Sequence, residues 1–245
     1  MSDIMSIVAA TMHADTDALR LVGENVSSSD NVAYRRQFQV SRPDFAATES
    51  TLSGESSRAT PLHSRTPRVE VDVDSRPGTF KSTGEPLNVA IQGDAYFVVS
   101  TAEGDLLMRR GDFHLDPDGV LTAFSGDPVL GTEGSIHISG GSPQIDTDGT
   151  VRVANSIVGH LRLEELPPGA ALQPVGDGLF SSTGGATTTS TTAQVHQGFL
   201  ETSNVSPVNE MVRLMQTMRH FEASQRFART YDEMLDRAIS DLGKV

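Results

Sequence analysis

The sequence predicts an α+β protein in which N- and C-terminal amphipathic helices flank a mainly antiparallel β domain. Two observations carry this prediction. Residues 4–26 and 208–242 place apolar side chains at alternating steps of three and four, which puts a stripe on one side of a helix. The chain between them consists of short apolar runs bounded by Gly-containing turns, a pattern typical of antiparallel strands. We therefore expect the ends to pack in a coiled-coil-like manner and the middle to project outward.

The N-terminal helix is predicted from one stripe and a clear stop signal. Gly23 and the Ser/Asp/Asn run at 27–31 predict where this helix ends. A single stripe also fits an ordinary helix packed on its own domain, so both interpretations stay open. The candidate interface residues on this helix are the apolar members Met5, Val8, Met12, Leu19 and Val22.

The C-terminal helix has the longer stripe. Ser206 and Pro207 are a good N-cap and first-turn pair, because proline lacks the N–H that would have no partner there. Acidic and basic residues balance from Val208 onward, so the stripe should determine what this helix contacts. Met211, Met215 and Met218 could mark an adaptable groove, but helical spacing favours ordinary helix packing. The candidate interface residues here are Met211, Leu214, Met218, Phe221, Leu235, Ile239 and Leu242.

The sequence predicts that the chain divides into four segments. Residues 1–40 hold the first helix and the start of a connector, and residues 41–68 form a flexible connector rich in Ser, Thr, Arg and Pro. Residues 69–200 form the β domain, and residues 201–245 the C-terminal helix. The predicted strands occupy parts of 69–73, 87–99, 106–113, 120–124, 136–138, 150–153 and 157–163, arranged as a sandwich or open barrel.

A short Asp-x-Asp-Gly pattern occurs twice, at residues 115–120 and 145–150. Carboxylates two residues apart can share a calcium ion. Neither copy has the third oxygen ligand or the distal glutamate of an EF-hand loop. Asp-Gly between two strand-like runs instead predicts a tight hairpin turn.

Composition and motifs exclude several classes of function. Residues 85–178 hold fourteen acidic residues against four arginines and no lysine, a balance that repels nucleic-acid phosphates. The chain has no cysteine, and its seven histidines show no metal-ligand spacing. No membrane-spanning run, Sec-type signal, nucleophile elbow or phosphate loop is found. We therefore expect no enzyme activity, no cofactor, no metal, no nucleic-acid partner and no membrane insertion.

Several motifs resemble those of the bacterial flagellar rod and hook proteins. They are TGEPLNVAIQGDAYFVV at residues 83–99, MRRGDF at 108–113, QGFLETSNV at 197–205 and EMV at 210–212. The resemblance covers nearly the whole chain, and length and later segments resemble the proximal rod members most. A distal rod or hook subunit is the alternative. A wall- or carbohydrate-binding β module is the alternative from another class.

The resemblance implies a structural axial subunit of the basal-body rod, which crosses the periplasm. Such subunits are exported through the flagellar type III apparatus and polymerise helically with copies of themselves and other rod proteins. Their terminal helices form the inner layer, and the polymer transmits torque from motor to hook. Ala33 and Ala95 stand where the family patterns have glycine. If the glycine replaced by Ala95 takes a positive φ, alanine should add strain there.

Overall fold

The structure, a computed structural model, describes residues 2–42, 68–167, 170–183, 187–190 and 192–242. Within these ranges the chain forms a helix at each end and nineteen strands between them. The elements are α1 (Ser2–Ser27), β1 (Gln37–Arg42), β2 (Arg68–Val73), β3 (Phe80–Ser82), β4 (Val89–Gln92), β5 (Ala95–Thr101), β6 (Gly104–Met108), β7 (His114–Leu115), β8 (Leu121–Thr122), β9 (Leu130–Gly131), β10 (Gly134–Ser135), β11 (Pro143–Ile145), β12 (Thr150–Val153), β13 (Ser156–His160), β14 (Leu163–Glu165), β15 (Ala171–Gly176), β16 (Leu179–Thr183), β17 (Thr188–Thr189), β18 (Gln194–Gln197), β19 (Phe199–Glu201) and α2 (Pro207–Leu242).

Both predicted helices are present. α2 begins at Pro207, directly after Ser206, as the Ser-Pro pair predicts. Its 36 residues give a length of about 54 Å at about 1.5 Å per residue. Across the described residues, neither helix is long and apolar enough to span a membrane.

The strands form one large sheet and several small ones. Six strands pair in the order β15-β16-β6-β5-β14-β17, and three in the order β11-β12-β13. Strands β4 and β18, β3 and β19, β7 and β8, and β9 and β10 form two-stranded sheets, as do β1 and β2. All pairs from β3 to β19 run antiparallel. The prediction of a mainly antiparallel β domain is confirmed.

Strand β5 lies at the centre of the core, with both of its faces covered. Ala95, Phe97 and Val99 point into one apolar cluster, which also holds Leu121, Val129 and Val151. Tyr96 and Val98 point into a second cluster with Leu107 and Phe180. Burial on both sides explains why this segment is a continuous apolar run rather than an alternating one.

The described residues separate into two compact units, the helical unit and the β unit. One contains residues 2–26, 38–42, 68–71 and 207–242, and so includes both helices. The other contains residues 27–37 and the described part of 72–206, and so includes most of the strands. Most of the predicted connector lies outside the described residues, since 43–67 are not described. Of the rest, Ser41 and Arg42 belong to β1 and Arg68 belongs to β2.

Both Asp-x-Asp-Gly segments are hairpin turns, as predicted. The first joins β7 to β8 and the second joins β11 to β12. In each, the N–H of the glycine donates to the carbonyl of the first aspartate at 3.0 Å, and the glycine has a positive φ. One strand prediction is wrong: residues 136–138 make only an isolated bridge, through His137 to Val120.

The two alanines at positions where the resemblance predicts glycine behave differently. Ala95 opens β5 and is absent from the residues with positive φ, so the strain expected there does not arise. Ala33 has a φ of 52° and is buried. Alanine rarely adopts this left-handed conformation, because its Cβ approaches the following carbonyl. Of these two positions, Ala33 is therefore the one with backbone strain.

Candidate assembly surface

Two polar contacts join α1 and α2 within the helical unit. Nδ2 of Asn25 lies 3.5 Å from Oε2 of Glu210, and Nδ1 of His220 lies 2.8 Å from Oδ2 of Asp15. Residue numbers fall by ten on α1 while they rise by ten on α2. The two helices therefore run antiparallel where they meet.

The contact at Glu210 is the buried one. Asn25 and Glu210 are each 1% exposed, and Nε of Arg213 lies 3.6 Å from the other oxygen of Glu210. Removing a carboxylate from water is unfavourable unless polar partners surround it. A shift of either helix would break this arrangement, so Asn25 and Glu210 fix the register at this end of the pair.

One side of α2 is half-buried along most of its length. Apart from Gln225, its members recur at alternating steps of three and four, which is the spacing of a seam against another helix. They are Leu214, Thr217, Phe221, Ser224, Gln225, Ala228, Tyr231 and Leu235. This seam differs from the predicted stripe, because it contains Thr217 and Tyr231 and omits Met211 and Met218.

A second stripe on α2 is apolar and exposed. Val208, Met211, Met215 and Met218 follow steps of three, four and three, so they lie in one line along the helix. Their exposed fractions are 70%, 53%, 53% and 47%. We call these four residues the outer stripe. It begins in the first turn of α2 and faces about a third of a turn away from the half-buried seam.

The predicted interface residues divide between these environments. On α1, Val22 is buried and Met5, Val8, Met12 and Leu19 are half-buried. On α2, Leu214, Phe221 and Leu235 are half-buried, whereas Met211, Met218 and Ile239 are exposed. The side chain of Leu242 lies outside the described residues. Contact of any of them with a neighbouring subunit stays a prediction.

The β unit contains a charged cluster that the sequence analysis missed. Oε2 of Glu201 accepts from Nε of Arg109 at 2.7 Å, and Oε1 of Glu201 lies 2.9 Å from Nη2 of Arg35. The backbone N–H of Gly78 also donates to Oε1 of Glu201, at 2.8 Å. All three charged side chains are 1–2% exposed. The cluster thus ties the segment after α1 to the strand that precedes α2.

The two arginines of this cluster are not equally satisfied. Arg109 also donates to the carbonyls of Ile91 and Gly93, at 2.7 and 2.8 Å, and to that of Ala95. Arg35 donates to the carbonyl of Arg76, but among the described residues its buried Nε has no hydrogen-bond partner. Burial lowers the pKa of Arg35, and the charge of Glu201 opposes that effect. Arg35 is therefore held largely by Glu201.

The side chain of Asn204 binds the backbone of the segment between α1 and β1 and the backbone of residues 74–76. Oδ1 of Asn204 accepts from the N–H of Arg36 at 2.7 Å, and its Nδ2 donates to the carbonyls of Asp74 and Arg76 at 3.0 and 2.8 Å. Gly78 packs so closely that an added Cβ would lie 1.9 Å from the carbonyl oxygen of Thr202.

A signal in the sequence could have identified Glu201. It is the one acidic or basic residue between Asp177 and Glu210, apart from His196 if that histidine is protonated. A single charge in a long uncharged stretch indicates a specific partner more strongly than one of many charges on a solvated face does.

The described residues contain no group of three or more His, Asp or Glu side chains placed to hold a metal ion. An open cleft of about 420 Å³ lies in the β unit, lined in part by Glu85, Ser142 and Phe199. The amide of Gln197 at this cleft already bonds the carbonyls of Pro86 and Pro143, at 2.7 and 2.8 Å. The outer stripe is the exposed apolar line of α2, and its contact with a neighbouring subunit stays a prediction.

Two family profiles and several relatives match this chain. The family profile described as "Flagellar basal body rod FlgEFG protein C-terminal" matches residues 196–241, and "Flagellar hook protein FlgE/F/G D1 domain" matches residues 90–153. The flagellar basal-body rod protein FlgF of Mesorhizobium japonicum is 28% identical over 99% of both chains. FlgG of Agrobacterium fabrum is 26% identical over 94% of this chain and 95% of its own.

A third relative is more similar over a shorter length. FlgF of Salmonella typhimurium is 32% identical over 67% of this chain and 72% of its own. The two profile matches cover the core strands β5 and β6 and the whole junction from β19 into α2. The chain therefore belongs to the family of flagellar basal-body rod proteins, as an FlgF-like structural subunit of the rod in the flagellar basal body.

Proposed function

We propose that the outer stripe of α2 docks on helices of neighbouring rod subunits, both copies of this chain and other rod proteins. Membership of the rod family implies assembly with other rod components. The supporting observation is that the four apolar side chains of the outer stripe are 47–70% exposed. Apolar side chains aligned in a contiguous exposed line mark an interaction site in a soluble protein.

The proposal gives the two sides of α2 different partners. The half-buried seam pairs with α1 of the same chain in a coiled-coil-like manner, in the register set by Asn25 and Glu210. The outer stripe remains for a neighbour. In this arrangement the subunit's own helix pair is stabilised by the predicted residues that are buried or half-buried. They are Met5, Val8, Met12, Leu19, Val22, Leu214, Phe221 and Leu235. Met211 and Met218 make the contact between subunits through the outer stripe. Ile239 and Leu242 follow Leu235 at steps of four and three, so they continue the line of the seam and contact a neighbour near the end of α2.

The same proposal covers how the subunit polymerises and how it reaches the rod. The subunits polymerise helically, with the terminal helices as the inner layer of the rod, and the polymer transmits torque to the hook. The chain reaches the rod through the flagellar type III export apparatus and takes a place in the proximal rod. It performs no chemical step and needs no cofactor. Support for these statements comes from the family and from the stripe, which suits contacts with helices.

Paired charges on the outer stripe test the proposal. Met211→Asp with Met218→Asp should abolish motility and rod completion in a strain deleted for this gene, because two carboxylates would be buried at the docking contact. The matched control is Gln216→Asp with Ala223→Asp, which adds the same charge at exposed positions away from both the stripe and the seam. Soft-agar motility, electron microscopy of basal bodies and circular dichroism of both purified variants are the measurements. Motility of the stripe variant would overturn the proposed surface.

A further inference from the structure

All of the sulfur in this chain is in methionine. The sequence has eight methionines and no cysteine, so oxidants that react with sulfur have no thiol to attack. Met108 lies in the core and is 2% exposed, whereas Met211 and Met215 are each 53% exposed and Met218 is 47% exposed. Half-exposure of three neighbouring thioethers makes them accessible to small peroxides in the unassembled chain.

The three methionines of the outer stripe occupy positions where other apolar residues would serve packing equally well. A stripe at steps of three and four usually carries leucine, isoleucine or valine. Methionine differs from these in one relevant way, because its side chain can be converted after synthesis from apolar to polar. Met234, also exposed, is 16 residues beyond Met218 and faces another side of the helix. Three of the four exposed methionines among the described residues therefore lie together on the outer stripe.

We propose that Met211, Met215 and Met218 form an oxidation site at which hydrogen peroxide blocks docking of the unassembled subunit. The proposal rests on the proposed function of the outer stripe. In the chemical step, a lone pair of the thioether sulfur attacks one peroxide oxygen and the O–O bond breaks. An S–O bond forms, the proton of the transferred oxygen passes to the departing hydroxide, and one water is released. Sulfur is oxidised by two electrons and the peroxide is reduced by two.

Oxidation at this place changes what the stripe can bind. A sulfoxide oxygen is a strong hydrogen-bond acceptor, and burying it against an apolar helix face without a donor is unfavourable. A docked neighbour covers the sulfur atoms, so subunits that have already assembled are protected. Oxidation therefore acts on free subunits and spares assembled ones. Methionine sulfoxide reductases reverse it, one enzyme for each epimer.

The first measurement is chemical. The purified full-length chain is treated with hydrogen peroxide and the sulfoxide at each methionine is followed by peptide mass spectrometry. We expect Met211, Met215 and Met218 to oxidise at least tenfold faster than Met108. A ratio below about threefold would overturn the proposal.

The second measurement is functional and uses a triple variant in the deletion strain. Met→Leu at positions 211, 215 and 218 keeps the stripe apolar and removes the sulfur, and Leu for Met is a volume-conserving exchange. After induced expression in sublethal hydrogen peroxide, we expect the appearance of motile cells to be delayed at least fivefold more for the wild-type chain than for the Leu variant. Equal delay in both would overturn the oxidation site.

A second triple variant separates this inference from the proposed function. Met→Gln at the same three positions makes the stripe polar without any oxidant. If the Gln variant is motile, the outer stripe is not a docking surface and the proposed function fails. If it is non-motile while the wild-type and Leu chains show equal peroxide delay, the oxidation site alone fails.

Discussion

Replacing Glu201 by glutamine should strongly destabilise the β unit. Glu201 accepts three hydrogen bonds at 2.7–2.9 Å, from Arg109, Arg35 and the N–H of Gly78, and its side chain is 1% exposed. Glutamine retains the shape but removes the charge, which leaves two buried guanidinium groups facing a neutral amide. Removing one partner of a buried ion pair costs about 3–5 kcal/mol. That is a large share of a domain's total stability, which is about 5–15 kcal/mol.

Urea unfolding of the full-length chain measures this loss. The protein has no tryptophan, but Tyr96 lies in the core with the guanidinium carbon of Arg109 at 5.7 Å from its ring centre. Near-ultraviolet circular dichroism of the tyrosines therefore reports the region that the substitution disturbs. The control is Glu103→Gln, which removes the same charge at an exposed turn between β5 and β6. We expect the control to change the free energy of unfolding by less than about 0.5 kcal/mol.

A double-mutant cycle tests whether the cost arises from unpaired charge. Arg35→Met leaves Glu201 paired with Arg109, and Arg35→Met combined with Glu201→Gln leaves one buried arginine instead of two. We expect the double variant to be more stable than the sum of the single losses implies, because the two positions share a contact. If Glu201→Gln costs less than about 1 kcal/mol, or if the cycle is additive, the buried cluster is not what stabilises the β unit.

Two further predictions follow from local geometry and charge. Ala33→Gly should stabilise the β unit by about 1 kcal/mol, because glycine adopts the positive φ at this position without a Cβ clash. Ala123→Gly, at a buried position without positive φ, should destabilise instead, and thermal unfolding compares the two. The pKa of Asp74 is lowered by the hydrogen bond from the Arg76 side chain. Its stabilisation is therefore present above the ordinary pKa of 3.8 and lost as pH falls through the lower folded-state pKa. Asp74→Asn should therefore make the unfolding free energy depend less on pH below pH 4. If the unfolding free energy of the variant falls with pH as steeply as that of the wild-type chain, Asp74 does not contribute to acid stability.

Local signals in the sequence were sufficient for the elements that depend on neighbours in the chain. The Ser206-Pro207 pair predicted the start of α2 because capping involves only the first turn. Both Asp-Gly segments predicted hairpin turns because the required positive φ is a property of the glycine itself. The continuous apolar run at 95–99 predicted a strand, and its burial on both faces explains the run.

The charged cluster could not be predicted in the same way. Glu201 is 92 residues from Arg109 and 166 from Arg35 in the sequence, and nothing local indicates that these three side chains meet. Each of them, considered alone, is more often a solvated surface charge than a buried one. The sequence also did not show which of the two alanines, Ala33 or Ala95, would have backbone strain. The resemblance predicts glycine at both Ala33 and Ala95, but only Ala33 has a positive φ, because the fold around each position sets the backbone conformation that the residue must adopt.

The composition of the α2 stripe shows why one helix pattern can mislead. The predicted stripe combined Leu214 and Phe221, which are half-buried, with Met211 and Met218, which are exposed. A helix of 3.6 residues per turn drifts against any repeat of seven, so apolar residues of two adjacent lines can satisfy the same three-and-four spacing. Thr217 and Ser224 fall within the half-buried seam although both carry hydroxyl groups. The polar contacts of Asn25 and Asp15 with α2 separate the two lines, because they show which side α1 occupies. The apolar residues left outside that side are then the ones available to a neighbouring subunit.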